Sequence, residues 1–273
     1  MKSVRALQLG VLLMTAAVAA GGCGAPDSPS PTGPAVSAGP TGTIRGKVTF
    51  TGKTLSAASE KIMQDQATCG NSVALSRIVL GKTNGVKDTF VFLDGVSAVP
   101  NAEPPAPASV LMDQKNCQYV PHAMTVPVGT ELDITNSDTI LHNVNGKVIA
   151  TEGLLPKFNI AQPIKGQHNK TPALDKTGIV TLSCEAGHPW MSAFVLVSDN
   201  PYVAVTKDDG EFVIANVPVG TYRIKMWHEG VTLKSNNKAL QRYDYEDPYE
   251  TTKDVVVTAN GEVVVNFDFD LRN

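Results

Sequence analysis

The stretch Thr181-Leu-Ser-Cys184-Glu-Ala-Gly-His188-Pro-Trp-Met191-Ser-Ala-Phe-Val-Leu-Val197 decides how this 273-residue chain is read. Two apolar runs, Gly178 to Cys184 and Ala193 to Val197, flank a turn that contains Gly187 and Pro189, the pattern of strand, turn and strand. Cys184, His188 and Met191 fall within eight residues on that turn. A straight strand would send alternate side chains to opposite faces, whereas a turn can aim three at one point. Thiolate, imidazole and thioether together suit copper: the first two bind strongly and a long axial Met contact completes the set. Such a site needs a second imidazole. Leu141-His142-Asn143-Val144 supplies one, 42 residues before Cys184, after the strand pattern Glu131 to Thr135 and the turn Asn136-Ser137-Asp138. It would reach the site from a different strand connection, at one end of a β-sandwich.

Working outward, alternation continues in both directions. Ile44, Val48 and Phe50 share one parity, with Arg45, Lys47 and Thr49 on the other, as in a half-buried strand. Thr89 to Leu93 and Ala123 to Val128 are further strand candidates. Asp209-Gly210 precedes Phe212 to Ile214, and Pro218-Val219-Gly220 separates that run from Tyr222 to Trp227. Near the C-terminus Val265, Phe267, Phe269 and Leu271 alternate with Asn266, Asp268 and Asp270, and Asn260-Gly261 between that run and Val255 to Thr258 predicts a hairpin. Only Leu55 to Ala67 carries helical spacing. With 23 Gly and 18 Pro supplying turns, the expected fold class is all-β.

Tyr119-Val-Pro-His-Ala-Met-Thr-Val-Pro-Val-Gly-Thr-Glu-Leu-Asp-Ile-Thr-Asn-Ser-Asp-Thr-Ile-Leu-His142-Asn-Val, followed by the Cys184 loop, resembles the plastocyanin/amicyanin branch of the cupredoxins. The resemblance covers roughly residues 108–198 and implies a Greek-key sandwich holding one type 1 (blue) copper. By that resemblance His142, Cys184, His188 and Met191 are the metal ligands, and Asn143 braces the thiolate loop. The His-Pro-Trp-Met stretch is most similar to amicyanin. The chain departs by placing three residues between Cys184 and His188, where plastocyanin and amicyanin have two; the extra residue is Gly187. Pro189, Trp190 and Met191 form an apolar set expected to surround an exposed edge of His188 and to admit a redox partner there.

A second pattern brackets the first. Thr43-Ile-Arg-Gly-Lys-Val-Thr-Phe-Thr-Gly-Lys53 and the run Val205 to Lys225 resemble a carboxypeptidase regulatory-like, transthyretin-type β-sandwich. Residues 41–107 and 199–273 would build it, with the cupredoxin inserted; a tandem layout, with 41–198 as one enlarged cupredoxin, is the competing arrangement. The combination is similar to exported proteins described as methylamine-utilisation-like.

Met1 to Gly22 reads as a secretory signal: Lys2 and Arg5 precede a mostly apolar stretch from Ala6 to Ala20, too short for a comfortable membrane span. Small residues leading into Cys23 resemble the bacterial lipobox, with Ala20 where Leu is usual, which implies a lipidated Cys23; a cleaved, unlipidated signal is the alternative. Gly24 to Gly42, with five Pro among Ser, Thr, Ala and Gly, reads as a tether. The expected location is the periplasm or cell surface, where disulfides persist. With Cys23 and Cys184 assigned, Cys69 and Cys117 remain, and an exported pair without another task is expected to form a disulfide; a second metal site is the alternative.

The formal charge of −3 provides no basic field for nucleic acid. There is no Gly-rich phosphate loop, no Gly-x-Ser-x-Gly, no His-Glu-x-x-His and no Cys-x-x-Cys-His, which removes most support for nucleotide, hydrolase and c-type haem chemistry. His122 reads as an ordinary surface residue, with an extra ligand or an exposed redox relay as alternatives, His228 beside Glu229 as a surface hydrogen-bonding pair more simply than a metal ligand, and His168 as a loop residue. The expected function is a non-enzymatic one-electron carrier between redox proteins such as a cytochrome or a dehydrogenase, tethered to a membrane through a lipid. Copper storage or delivery, and a metal-free surface lipoprotein, are the alternatives.

Overall fold

The computed structural model describes residues 39–53, 58–96, 110–237 and 242–271. The secretory signal, Cys23 and almost all of the tether lie outside the described residues. The chain begins with β1 (Thr41–Phe50), β2 (Ser59–Lys61), the single-turn α1 (Gln66–Cys69), β3 (Ser72–Ala74) and β4 (Phe90–Asp94). It continues through β5 (Leu111–Lys115), β6 (Gln118–Val120), β7 (Ala123–Pro127), β8 (Asp133–Asn136), β9 (His142–Ala150), β10 (Gly153–Gln162), β11 (His168–Lys170), β12 (Gly178–Ser183) and β13 (Ser192–Ser198). The last stretch holds β14 (Val203–Val205), β15 (Glu211–Pro218), β16 (Gly220–His228), β17 (Leu233–Asn237), β18 (Arg242–Tyr245), β19 (Tyr249–Val257), β20 (Glu262–Val264) and β21 (Phe267–Phe269). The fold is all-β. Among the described residues no helix is long and apolar enough to cross a membrane.

Four sheets carry the architecture: β15-β1-β20 with β21 also on β1, β14-β4-β16-β19, β10-β9-β12-β13-β7, and β11-β8-β5-β6. Ile44, Val48, Phe212, Ile214 and Phe267 from the first sheet meet Val91, Leu93, Ile224, Met226 and Val255 from the second in one apolar cluster. Val144, Val180, Leu182, Ala193, Val195 and Val197 from the third meet Met112, Tyr119 and Ile134 from the fourth in another. Each pair of sheets is thus a sandwich closed by the apolar face that strand periodicity supplies.

A third cluster joins the second and third sheets. Phe90 and Trp227 pack against Ala123, Ile179, Phe194 and Leu196, with the Phe194 and Trp227 rings 5.2 Å apart. This explains why Ala193 to Val197 is apolar at every position: odd-numbered residues face the interior of their own sandwich, and Phe194 and Leu196 face the neighbouring sheet. Beside this seam Glu229, 3% exposed, takes an ion pair from Arg77 at 3.0 Å and a close one from His122.

Two sequence expectations are corrected. The Asn260-Gly261 turn forms, with Asn260 at φ 52° and the Gly261 N–H donating to the Thr258 carbonyl at 3.1 Å. It does not close a hairpin, because β19 pairs with β16 while β20 and β21 run parallel to β1 in the other sheet. The apolar parities on either side of the turn serve different sheets, so the chain crosses the sandwich there. The helix expected over Leu55 to Ala67 is replaced, where described, by β2 and the start of the four-residue α1, held by pairing of β2 with β3 and by the Ile62 N–H to the Asn71 carbonyl. Residues 54–57 lie outside the described residues.

Candidate metal centre

β12 and β13 pair in register from Gly178↔Val197 to Ser183↔Ser192, so Cys184 and Met191 stand at the open end of that ladder with the turn of residues 185–190 between them. β9 lies on the other side of β12, pairing Ser183 with Asn145, which brings His142 to the same end. Gly187 adopts φ 93°, a left-handed conformation that a residue with a Cβ rarely tolerates, and this turns the chain between Glu185 and His188.

The geometry is compact. His142 Nδ1 lies 3.2 Å from His188 Nδ1, and Cys184 Sγ lies 3.6 Å from His188 Nδ1 and 4.0 Å from His142 Nδ1. His142 and His188 are 0% exposed and Cys184 is 3% exposed. Cys184 is the free cysteine among the described residues. The three donors lie close enough together for one ion to touch all of them at about 2.0 Å to nitrogen and about 2.3 Å to sulfur, the distances of zinc with the same donors. A trigonal His2Cys set of this kind fits copper. Met191, 2% exposed, packs in the same core cluster as Cys184, and its N–H donates to the His188 carbonyl at 3.0 Å.

Hydrogen bonds fix the donors. Asn143 Oδ1 accepts the Glu185 N–H at 2.6 Å and its Nδ2 donates to Asn159, which ties the thiolate loop to β9 and β10. Asp138 Oδ2 lies 2.9 Å from His142 Nε2, and the same carboxylate accepts the N–H groups of Asn116 and Cys117 at 2.8 and 2.9 Å. Asp65 Oδ2 lies 3.1 Å from His188 Nε2. Each imidazole therefore turns Nδ1 inward and its outer nitrogen towards a carboxylate, the arrangement that fixes tautomer and ring orientation in metal sites. Burial pushes the Cys184 thiol above its ordinary pKa, opposed by backbone N–H groups of Asn143, Ala186 and His188. Burial also pulls His188 below the usual imidazole range, helped by His142 and opposed by Asp65. Neutral imidazole is the form a metal takes.

Cys69 and Cys117 form a disulfide with Cα atoms 5.1 Å apart, and it lies against the centre: a ring nitrogen of His188 is within 4.8 Å of both sulfurs. Trp190 Nε1 donates to the Cys117 carbonyl at 3.1 Å.

Several expectations change. The exposed edge expected at His188, framed by Pro189 and Trp190, is absent, because the ring is wholly buried with Asp65 across its outer nitrogen. His228 is not a surface residue: it is 3% exposed, its Nδ1 lies 2.8 Å from the Glu229 carbonyl oxygen, and its ring packs edge-on to Phe269. His168 lies in β11 rather than a loop, 3.3 Å from Asp133. His122 pairs with Glu229, away from the donor triangle. Sequence reasoning named Asp138 only as part of a turn and missed Asp65 altogether. An acid four residues before a ligand imidazole was a usable signal for the first; nothing local marks the second.

Fold and site together define a β-sandwich protein with a buried Cys/His2 centre. No family model matches the chain, and no curated protein matches it. Among solved structures it is similar to a purple cupredoxin from Nitrosopumilus maritimus, at 24% identity and a TM-score of 0.28, covering 32% of this chain and 98% of that one. A copper-containing nitrite reductase from Thermus scotoductus SA-01 matches at 21% identity and a TM-score of 0.28, over 38% of this chain and 25% of that one. A Cu(I) form of an amicyanin mutant matches at 22% identity and a TM-score of 0.27, over 40% of this chain and 98% of that one.

Proposed function

We propose that this chain is a one-electron carrier built on a single type 1 copper centre, with His142, Cys184 and His188 as the strong ligands and Met191 as the axial one. The observation that carries the reading is the buried triangle of Nδ1, Nδ1 and Sγ, with sides of 3.2, 3.6 and 4.0 Å. Bound copper would supply a Cu(II)/Cu(I) couple. The chain's own contribution is rigidity and exclusion of water. Asn143 holds the thiolate loop, Asp138 and Asp65 orient the rings, and the surrounding core keeps solvent from the donors. Donors held in place in this way rearrange little when the metal's charge changes.

The wider setting is part of the same proposal. Residues 108–198 form a copper module inserted into a regulatory-like sandwich of 41–107 and 199–273. The grouping of Ile44, Val48, Val91 and Leu93 with Tyr202, Phe212, Ile224 and Phe267 in one apolar cluster favours that layout. Cleavage before Cys23, its lipidation and the Pro-rich tether would hold the modules at a membrane, outside the cytoplasm. The physiological partner would be a redox protein such as a cytochrome or a dehydrogenase, and the chain would carry electrons rather than turn over a substrate.

The test is Cu(II) titration of the purified chain with absorption and EPR spectroscopy. One equivalent should produce an intense sulfur-to-copper band that Cys184→Ala abolishes, together with a reversible one-electron voltammogram. An intense band surviving in Cys184→Ala overturns the ligand assignment. Irreversible voltammetry with Cu(I) passed to an acceptor would favour copper delivery.

A further inference from the structure

Both imidazoles of the centre are backed by carboxylates, and the two carboxylates reach it by different routes. Asp138 belongs to the turn that leads into His142. Asp65 arrives from 123 residues before His188, on a strap between Ser59 and Ala74. Three contacts fasten the strap over the ligand loop. The Cys69–Cys117 disulfide anchors the end of α1 beside the Asn116 and Cys117 N–H groups that bind Asp138. Ile62, 2% exposed, is buried at the other end. Gln64 Nε2 donates to the Gly187 carbonyl at 2.8 Å. A Cβ on Gly187 would come within 1.8 Å of that Gln64 nitrogen, so strap and loop are fitted to one another. Asp65 itself sits at φ 54°, a left-handed conformation uncommon outside glycine. A residue held there by its surroundings points to a position set by the site.

We propose that Asp65 is a positioning residue for His188 that lowers the reduction potential of the copper centre. The inference rests on the copper reading above. Its carboxylate accepts the Nε2–H of His188, which keeps Nδ1 directed at the donor triangle and makes the imidazole a stronger electron donor. Cu(II) carries one more positive charge than Cu(I), so a carboxylate behind the ring stabilises the oxidised state more than the reduced one. The strap also occupies the outer edge of His188.

The experiment compares the copper-loaded full chain with Asp65→Asn and Asp65→Glu by potentiometric titration. Asp65→Asn should retain the visible band while the ratio of Cu(II) to Cu(I) affinity falls at least tenfold, an upward shift of about 59 mV for a one-electron couple. Asp65→Glu should restore most of the difference, which a merely structural role would not predict. An unchanged potential in Asp65→Asn with its band intact overturns the proposal and leaves the copper reading standing; a wild-type chain without the band on Cu(II) addition removes both. Should Asp65→Asn fail to fold, NMR of the reduced wild-type chain decides. A slowly exchanging His188 Nε2–H resonance is expected, and rapid exchange with water overturns the proposal.

Discussion

Between the sheets of β1 and β16 the interior is mostly apolar: Ile44, Val91, Phe212, Ile224, Met226 and Phe267 close it, and His228 is buried against Phe269 at its edge. Between the sheets of β12 and β5 the apolar filling stops at one end and gives way to His142, His188, Asp138, Asn136, Gln114 and Gln162, all buried. An apolar interior is held by non-directional contacts and fails in proportion to the volume removed. A buried polar end holds only while every partner is present, and loss of one leaves others unsatisfied. The first sandwich is therefore the more tolerant of substitution. The second holds the Cys/His2 cluster at the place where its packing is least tolerant.

The sharpest way to break that contrast is His142→Ala. Cu(II) affinity, measured by competition with a chelator, should fall by more than roughly 100-fold, exceeding the effects usual for residues behind the ligands. Removing the disulfide with Cys69→Ser and Cys117→Ser should cost about 4 kcal/mol by the chain-entropy estimate for its 48-residue separation. The same double variant should loosen the strap over His188, read as faster amide exchange at Gln64 and Asp65. Ile224→Ala, in the apolar interior, should cost about 3 kcal/mol in denaturant unfolding. It should leave the copper spectrum unchanged; a shifted band would show that the two interiors are coupled. Asn143→Ala should cost about 1–2 kcal/mol through the lost contact with the Glu185 N–H, and should broaden the EPR signal as the thiolate loop loosens.

The smallest effect concerns the seam. Burial pulls His122 down, but the charge and hydrogen bond of Glu229 outweigh it and hold the imidazole above its ordinary range. Burial pushes Glu229 up, but His122 and Arg77 outweigh that and hold it below the carboxylate range. The His122 contribution is fully present below its unfolded pKa of about 6.5 and is lost as pH rises through the raised folded value. Thermal stability should decline along that limb, and His122→Gln should flatten it.

Much of this contrast was legible in residue order. Alternation marked β1, and apolar runs bounded by turn residues marked β4, β7, β12 and β13, because a strand with one wet face repeats every second residue while one covered on both faces is apolar throughout. Cys184, His188, Met191 and the upstream His142 stood out because soft donors on a turn have few other uses. Long-range closure was not legible. The Asn260-Gly261 turn carries a hairpin's local signature, yet its two flanks are claimed by different sheets, a choice made by burial across the sandwich. Asp65 and Gln64 reach the ligand loop through a covering segment whose sequence bears no mark of its destination. Asp65 from that segment covers the outer nitrogen of His188 while Trp190 and His142 stand against its ring, so the expected exposed edge is closed.

β13 leaves the ligand turn with Ala193, Val195 and Val197 facing one interior and Phe194 and Leu196 pressed on Trp227 and Phe90 across the seam. A single strand is thus a party wall between neighbours. Excising residues 110–198 as a free-standing unit would strip that wall and leave a greasy flank in water, a recipe for clumping. Anyone wishing to engineer the loop from Cys184 to Met191 would do better to keep the whole building.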